Sequence, residues 1–177
     1  MLKRIVFLML SVVLLAACVG GQQSKPGTKA IAVLQPLNAS SVQGVVKFEQ
    51  LESAVKVTAR FEGLNPSSKH GFHIHEFGDL LDQSGKGAGG HYNPDGHNHS
   101  LPTGGQRHMG DLGNISSDSN GRALFSITIN DLSIAGGHHN IIGRSVIVHA
   151  KADDGTGASG NAGKRIAGAV IGYQSAK

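Results

Sequence analysis

The sequence predicts an all-β domain, built as an antiparallel sandwich or barrel, and three observations support this prediction. Apolar residues occur in short alternating or β-branched runs, and no long segment shows the 3.6-residue spacing of a helix. Glycine is abundant, with 26 residues among 177, and turn residues separate the runs. Two longer segments lack strand patterns and are rich in small and polar residues. Many short strands joined by glycine-rich turns are typical of sandwiches and barrels.

The first residues predict export from the cytoplasm. Lys3 and Arg4 precede an apolar stretch too short to span a bilayer, and small residues then lead to Cys18. Cys18 is the only cysteine, which favours a lipidated mature N-terminus and excludes an internal disulfide; an ordinary signal peptide with an incidental cysteine is the alternative. We expect a cell-envelope lipoprotein anchored on the periplasmic or extracytoplasmic face of a membrane. Its predicted parts are a signal peptide (1–17), the lipidated cysteine with a flexible tether (18–29) and one domain (30–177).

Seven runs are predicted as strands. The clearest is 55–61, where apolar and polar residues alternate as in a strand with one buried face. The two segments without strand patterns are 78–111 and 153–164, and a loop as long as the first is uncommon unless it is functional. The predicted strands are 30–37, 42–49, 55–61, 71–75, 123–129, 145–149 and 167–172.

The charge of the chain argues against a nucleic-acid partner. The formal net charge of +4 includes Lys3 and Arg4, which leave with the signal peptide. The remaining excess of basic residues is small, and no basic motif interleaved with aromatic residues accompanies it.

The ten histidines are the strongest functional signal. His73 and His75 lie two residues apart on a predicted strand, so both point to one face, as in half of a metal site. Two surface histidines are the alternative for this pair taken alone. Imidazole with carboxylate suits zinc, whereas surroundings of several histidines favour copper(II). The set is larger than one metal needs. It is completed by His91, His99, His108 and Asp111 of the long segment and by His149 at the end of another strand.

Four segments resemble the copper/zinc superoxide dismutase family, and the resemblance extends over about residues 30–173. It implies an eight-stranded antiparallel Greek-key barrel, an immunoglobulin-like sandwich in architecture, with two long loops forming the metal site. It also implies an enzyme that converts superoxide to oxygen and hydrogen peroxide with a redox-cycling copper bridged to a structural zinc, and so protects the cell envelope. The segments, in family order, are Gly-Phe-His-Ile-His-Glu-Phe-Gly-Asp (71–79), His-Met-Gly-Asp-Leu-Gly-Asn (108–114), Ile-Ile-Gly-Arg with His149 (141–149) and Gly-Asn-Ala-Gly-Lys-Arg (160–165).

The resemblance implies a role for each matching residue. His91 would be the imidazolate that bridges the two metals and a proton carrier in catalysis, and Arg165 would attract the superoxide anion. Asp153 would join one copper histidine, His73, to one zinc histidine, His99. The implied copper ligands are His73, His75, His91 and His149, and the implied zinc ligands are His91, His99, His108 and Asp111. The histidines that match no ligand position, and are expected on the surface or in structural roles, are His97, His138 and His139.

The chain departs from the family at its usual disulfide. Ser84 or Gly85 stands at the first cysteine position and Gly168 at the second, which puts the placing of Arg165 in question. We expect loops that are mobile without metal and are ordered mainly by zinc.

Two other functions compete with the enzyme. A catalytically weak superoxide-dismutase-like protein that binds copper and zinc is the first, supported by the missing disulfide. A zinc hydrolase is the second, and the lack of a His-Glu-x-x-His motif disfavours it. A homodimer is an expectation from the family alone, in which many members are dimers and some bacterial members are monomers.

Overall fold

The computed structural model describes residues 27–175. The predicted signal peptide and Cys18 lie outside the described residues. Nine strands and one short 3-10 helix, Lys86–Ala88, occur in this part of the chain, where no helix is long and apolar enough to cross a membrane. The strands are β1 (Lys29–Pro36), β2 (Gln43–Gln50), β3 (Ala54–Glu62), β4 (Lys69–His75), β5 (Asp111–Ser116), β6 (Ala123–Asn130), β7 (Ser145–His149), β8 (Arg165–Val170) and β9 (Gly172–Tyr173).

Eight of the strands form one antiparallel path in the order β5-β4-β7-β8-β1-β2-β3-β6, and the two-residue β9 pairs with β1. The strands at the two ends of the path, β5 and β6, contact each other, so the sheet curls into a nearly closed barrel. The chain crosses the barrel between β3 and β4 and again between β6 and β7. The prediction of an all-β, eight-stranded antiparallel barrel is therefore confirmed.

Strand β5 is the one strand of the barrel path that the alternation pattern did not predict. Gly113 and Asn114 interrupt its apolar residues, so the sequence shows no run there. Leu112 and Ile115 are three residues apart yet both are buried. This is explained by a register shift in the pairing of β4 with β5, where β5 carries one more residue than β4.

Alternate side chains fill the barrel. In β3 the polar residues face outward and the apolar residues face the interior. Phe72 of β4 lies at the centre, with its ring edge-to-face against Phe61 at 5.4 Å and against Phe125 at 5.3 Å between centroids. Because Phe72 and Ile74 point inward, the alternating residues His73 and His75 point outward.

Two long loops cover that outer face. The first loop (residues 76–110) joins β4 to β5, and the second loop (residues 150–164) joins β7 to β8. The start of the first loop is tied to the barrel, since Ser145 Oγ donates to the Phe77 carbonyl at 2.7 Å and Arg144 donates to the Glu76 carbonyl at 2.7 Å. The loops bury histidines that the strands alone would leave in solvent.

Candidate metal centre

Strands β4 and β7 supply three histidines on the covered outer face. His73 and His75 are at most 1 % exposed, and His149 ends the neighbouring strand. His75 Nδ1 donates to the Gly89 carbonyl and His149 Nδ1 to the Gly163 carbonyl, each at 3.1 Å. Each Nε2 therefore carries a lone pair, yet the two Nε2 atoms lie 3.3 Å apart. A cation held between them explains this approach.

His91 of the first loop completes this group. It makes an isolated bridge with His75, and its ring stacks on that of His73 with centroids 3.9 Å apart. The metal-binding atoms of all four residues lie within 4.8 Å of one another. The structure thus brings together every residue predicted for copper, namely His73, His75, His91 and His149.

A second group surrounds Asp111, at the start of β5. The Asp111 Oδ1 atom lies 2.8 Å from His91 Nδ1, 3.0 Å from His99 Nδ1 and 3.3 Å from His108 Nδ1. The other oxygen, Oδ2, accepts from the backbone N–H groups of Ser100 and His108. Three imidazole nitrogens around one carboxylate oxygen match a closed four-ligand zinc site. These are the residues predicted for zinc, and His91 belongs to both groups.

Buried ring nitrogens without hydrogen bonds show that both groups fit metal ions. A buried polar atom without a partner costs free energy, so proteins rarely keep one. Within residues 27–175, five buried side-chain atoms lack a hydrogen-bond partner, and four of them belong to these groups. They are His73 Nδ1, His91 Nε2, His99 Nδ1 and His108 Nδ1, and the fifth is His70 Nε2.

Asp153 of the second loop lies between the two groups. Its Oδ2 accepts from His73 Nε2 and its Oδ1 from His99 Nε2, both at 2.9 Å. Because both Nε2 atoms donate, the Nδ1 atoms of His73 and His99 keep their lone pairs for a metal. Asn114 holds the Asp153 backbone by two hydrogen bonds of 2.8 Å. The Asp153 N–H donates to Asn114 Oδ1, and Asn114 Nδ2 donates to the Asp153 carbonyl.

Sequence reasoning assigned no role to Asn114 or to Gly160, although both lie in segments that carry the family resemblance. Gly160 has a φ of +62°, and a Cβ there would lie 2.8 Å from His99 Nε2 and overlap the Asp153 carboxylate. Only glycine fits this position. Nothing in the local sequence distinguishes it from the other glycines of the second loop.

Burial keeps the three strand histidines of the first group neutral. It lowers the pKa of His73 to about 4, against the hydrogen bond to Asp153, which acts in the opposite direction. Burial likewise lowers the pKa of His149 to about 3, with a contribution from the nearby His73, and lowers the pKa of His75 well below its usual value. Neutral imidazole is the form that binds metal, so these histidines are ready to act as ligands at neutral pH.

Arg165 lies beside the first group. It begins β8, where it pairs with His149 of β7. Its guanidinium is half-buried and donates to the carbonyl oxygens of Gly85 and Gly89 of the first loop, the second at 2.5 Å. Burial lowers the pKa of Arg165 below its usual value, but the side chain stays cationic at neutral pH. The first loop therefore positions this cation without a disulfide.

Leu37 occupies the space between Gly85 and Gly168, where Gly168 stands at the second cysteine position of the family and Gly85 is one of the two candidates for the first. A Cβ on Gly85 would lie 3.0 Å from Leu37 Cδ1, and a Cβ on Gly168 would lie 3.1 Å from the same atom. Leu37 packs with Ala88 and Ile147, and Leu80 covers this cluster. Apolar packing here joins the first loop to the barrel.

The remaining histidines lie outside both groups. His70 is buried, and its Nδ1 donates to the His149 carbonyl at 2.9 Å, which is a structural role. His97 is partly buried and belongs to neither group. His138 and His139 form a separate group with Asp95 that solvent reaches.

The barrel and the two ligand groups that share His91 define an all-β protein with a binuclear centre of imidazole and carboxylate ligands. The family model of copper/zinc superoxide dismutase matches residues 42–171. The chain therefore belongs to the copper/zinc superoxide dismutase family, as the resemblance predicted. It is accordingly an oxidoreductase whose cofactors are copper and zinc.

Three relatives illustrate the extent of the similarity. The chain is 46 % identical over 157 residues to Superoxide dismutase [Cu-Zn] of Paramecium bursaria Chlorella virus 1, covering 85 % of this chain and 80 % of the viral protein. It is 43 % identical over 153 residues to Superoxide dismutase [Cu-Zn] A of Xenopus laevis, covering 82 % and 97 %. Identity to Superoxide dismutase [Cu-Zn] of Saccharomyces cerevisiae is 42 % over 153 residues, covering 81 % and 97 %.

Proposed function

We propose that this chain dismutates superoxide at the first ligand group, with the second group as its zinc site. The sharing of His91 by both groups carries this assignment, together with the buried nitrogens that lack hydrogen bonds. Copper would be held by His73 Nδ1, His75 Nε2, His91 Nε2 and His149 Nε2, and zinc by the Nδ1 atoms of His91, His99 and His108 with Asp111.

The protein residues of this site supply attraction, orientation and protons. Bound copper supplies the one-electron chemistry that a superoxide anion needs both to lose and to gain an electron. Arg165 places a cation beside His149, and such a charge in a cleft attracts a small anion and raises its rate of encounter. Dismutation oxidises one superoxide anion and reduces a second. His91 Nε2 takes up a proton and delivers it to the anion that is reduced, and solvent supplies the other proton of hydrogen peroxide.

The test compares the purified chain loaded with copper and zinc, with copper alone and with zinc alone. We expect a copper-dependent rate constant near the diffusional ceiling of about 10⁸–10⁹ M⁻¹s⁻¹, and a decrease in this rate with added salt. Binding of both metals with a negligible rate would instead support the metal-binding alternative.

We also propose that the enzyme is an exported lipoprotein of the cell envelope. The support is the basic start at Lys3 and Arg4, the short apolar stretch and the small residues before Cys18. The domain would then remove superoxide outside the cytoplasm while the lipid on Cys18 holds it at a membrane. Metabolic labelling with a fatty acid, compared with Cys18→Ser, tests this. Equal labelling of the two chains would contradict lipidation at Cys18.

A homodimer is proposed through the apolar surface at Phe77 and Val170. The two residues are 55 % and 47 % exposed, and Val170 Cγ1 would lie 3.2 Å from a Cβ on Gly78, the residue that follows Phe77. Contiguous exposed apolar side chains mark interaction surfaces. Sedimentation equilibrium should give a dimer that Phe77→Glu dissociates, whereas Leu124→Glu, at an exposed apolar residue of β6, should not. A monomeric unmodified chain would contradict the proposal.

A further inference from the structure

A third cluster of metal-binding side chains lies on the surface, apart from the two buried groups. Asp95 belongs to the first loop, and His138 and His139 belong to the segment between β6 and β7. Their metal-binding atoms lie within 4.8 Å of one another. The His138 side chain is 67 % exposed, the Asp95 side chain 28 % and the His139 side chain 22 %, so solvent and dissolved ions reach the cluster.

The distances within this cluster match those of the buried zinc ligands. Asp95 Oδ1 lies 3.2 Å from His138 Nε2, and both Asp95 oxygens lie 3.0 Å from His139 Nε2. Asp111 is 2.8–3.3 Å from its three histidine nitrogens. Two ligand atoms that each lie about 2.0–2.2 Å from one zinc ion in tetrahedral geometry are only a little farther from each other than the atoms of this cluster are. The three side chains therefore need little movement to bind one ion.

The tautomer of His139 turns its Nε2 lone pair toward a carboxylate. His139 Nδ1 donates to the Asp131 carbonyl at 3.1 Å, as His75 Nδ1 and His149 Nδ1 donate to carbonyls in the first group. The neutral ring then turns a lone pair on Nε2 toward the Asp95 carboxylate, which repels it. A second proton on His139 or a bound metal ion removes this repulsion, and a carbonyl acceptor on the opposite nitrogen is the usual companion of a histidine ligand.

We propose that Asp95, His138 and His139 bind a third divalent transition-metal ion, through two Nε2 atoms and the carboxylate. Two imidazoles and one carboxylate form a donor set that zinc accepts, with water in the open position. Because the cluster is partly exposed, this ion exchanges more readily than the two buried ions.

The third ion would link two segments that already touch beside His91. Tyr92 follows His91 in the chain, and its hydroxyl donates to the His138 carbonyl at 2.7 Å. The Arg144 guanidinium stacks 3.6 Å above the Tyr92 ring and donates to the Asn140 carbonyl. A metal ion bound by Asp95, His138 and His139 restrains the same part of the first loop. This part adjoins His91, which both buried groups share.

Calorimetric titration of the full chain with Zn²⁺ tests the site, after the buried groups have been loaded with copper and zinc and excess metal has been removed. We expect one further equivalent to bind the unmodified chain and none to bind Asp95→Asn or the double variant His138→Gln/His139→Gln. His97→Gln is the matched control, because His97 lies on the same loop outside the cluster. The site is overturned if the unmodified chain binds no further equivalent, if Asp95→Asn binds as well as it does, or if His97→Gln abolishes binding.

Two further measurements test the identity of the ligands and their effect on the loop. Co²⁺ in place of Zn²⁺ should give a visible absorption that Asp95→Asn lacks, and its presence in that variant would overturn the ligand set. Amide hydrogen exchange of residues 92–98 should slow with the third equivalent in the unmodified chain and not in Asp95→Asn. Unchanged exchange in the unmodified chain would overturn the link between the segments.

Discussion

At the scale of single residues, two buried carboxylates determine which histidine nitrogens are free to bind metal. Asp153 accepts the Nε2 protons of His73 and His99, and Asp111 gathers the Nδ1 atoms of the second group around one oxygen. Burial alone would raise the pKa of each carboxyl, but hydrogen bonds from histidines lower the pKa of both. Each carboxylate therefore stays ionised and orients its rings.

Asp153→Asn tests this control of the tautomers. An amide offers one acceptor oxygen, so one of the two rings loses its carboxylate partner and can turn the wrong nitrogen to the metal. We expect zinc or copper affinity to fall by about 10- to 100-fold, measured by competition with a chelator. Asp154→Asn is the control, because Asp154 is exposed and bonds only within the second loop. Equal affinities in both variants would contradict the role of Asp153.

Arg165→Ala tests the attraction of superoxide. Loss of the cation beside His149 should lower the rate constant by about tenfold or more and remove most of its salt dependence. Metal content should stay unchanged, because the guanidinium bonds to loop carbonyls and not to the ligands. Arg60→Ala, at an exposed arginine of β3, is the charge-matched control. A full rate in Arg165→Ala, measured by stopped-flow, would exclude this role.

The lowered histidine pKa values predict that the metal-free protein loses stability in acid. The pKa of His73 is about 4, that of His149 about 3 and that of His75 is also lowered, against about 6.5 in the unfolded chain. The unfolded chain therefore binds more protons below pH 6.5, and stability falls as the pH drops from about 6.5 toward 3–4. His99 acts in the opposite direction. Burial lowers its pKa, but the hydrogen bond to Asp153 and the charges of Asp111 and Asp153 together outweigh burial and raise it.

Thermal unfolding of the metal-free chain at pH 7.5 and pH 5.0 measures this effect. Protonation linked to His73 and to His149 should each cost on the order of 1–2 kcal/mol at the lower pH, and His75 acts in the same direction, so the melting temperature should drop. His149→Gln should reduce the difference, because one of the three groups no longer titrates. Equal melting temperatures at both pH values would contradict the prediction.

At the scale of elements, apolar packing around Leu37 connects the end of β1 to the first loop and to β8. Leu37 contacts the positions of Gly85 and Gly168, and the neighbouring Asn38 amide donates to the carbonyls of Arg165 and Ser84. These contacts hold the loop whose carbonyls position the Arg165 guanidinium.

Leu37→Ala should therefore affect both stability and activity. Removing a buried leucine side chain costs about 2–5 kcal/mol, which urea unfolding of the metal-loaded chain measures. The rate of dismutation should also fall, because the loop at Gly85 loses its apolar contact. Val33→Ala, at an exposed residue of β1, is the matched control and should change neither. Unchanged stability in Leu37→Ala would show that this packing does not hold the loop.

The strands differ in how well local sequence predicted them. Alternation in 55–61 predicted β3 almost to its ends, since a strand with one buried face leaves a period of two in the sequence. β5 left no such period, because a bulge allows Leu112 and Ile115 to share a face at a spacing of three. That bulge places Asp111 against His73 of β4, so the missed strand is the one that carries the carboxylate of the second group.

At the scale of the whole molecule, metal binding and loop order should depend on each other. All four proposed zinc ligands come from the first loop and the residue that follows it. We expect amide exchange of residues 85–111 to be much slower with zinc than without it, while β3 in the barrel changes little. Equal protection of residues 85–111 in the two states would contradict this dependence.

The sequence by itself determined the all-β class and the family, and it predicted the residues that the structure gathers into two groups. These depend on strand periodicity and on short segments with fixed spacing, such as 71–79 and 108–114, which are local properties. The tertiary structure alone decided the contacts between distant residues. Leu37 lies between two glycines far along the chain, Asn114 holds Asp153, and Asp95 meets His139, 44 residues away. The physical reason is that loop conformation and barrel closure bring these side chains together, and neither leaves a periodic pattern in the sequence.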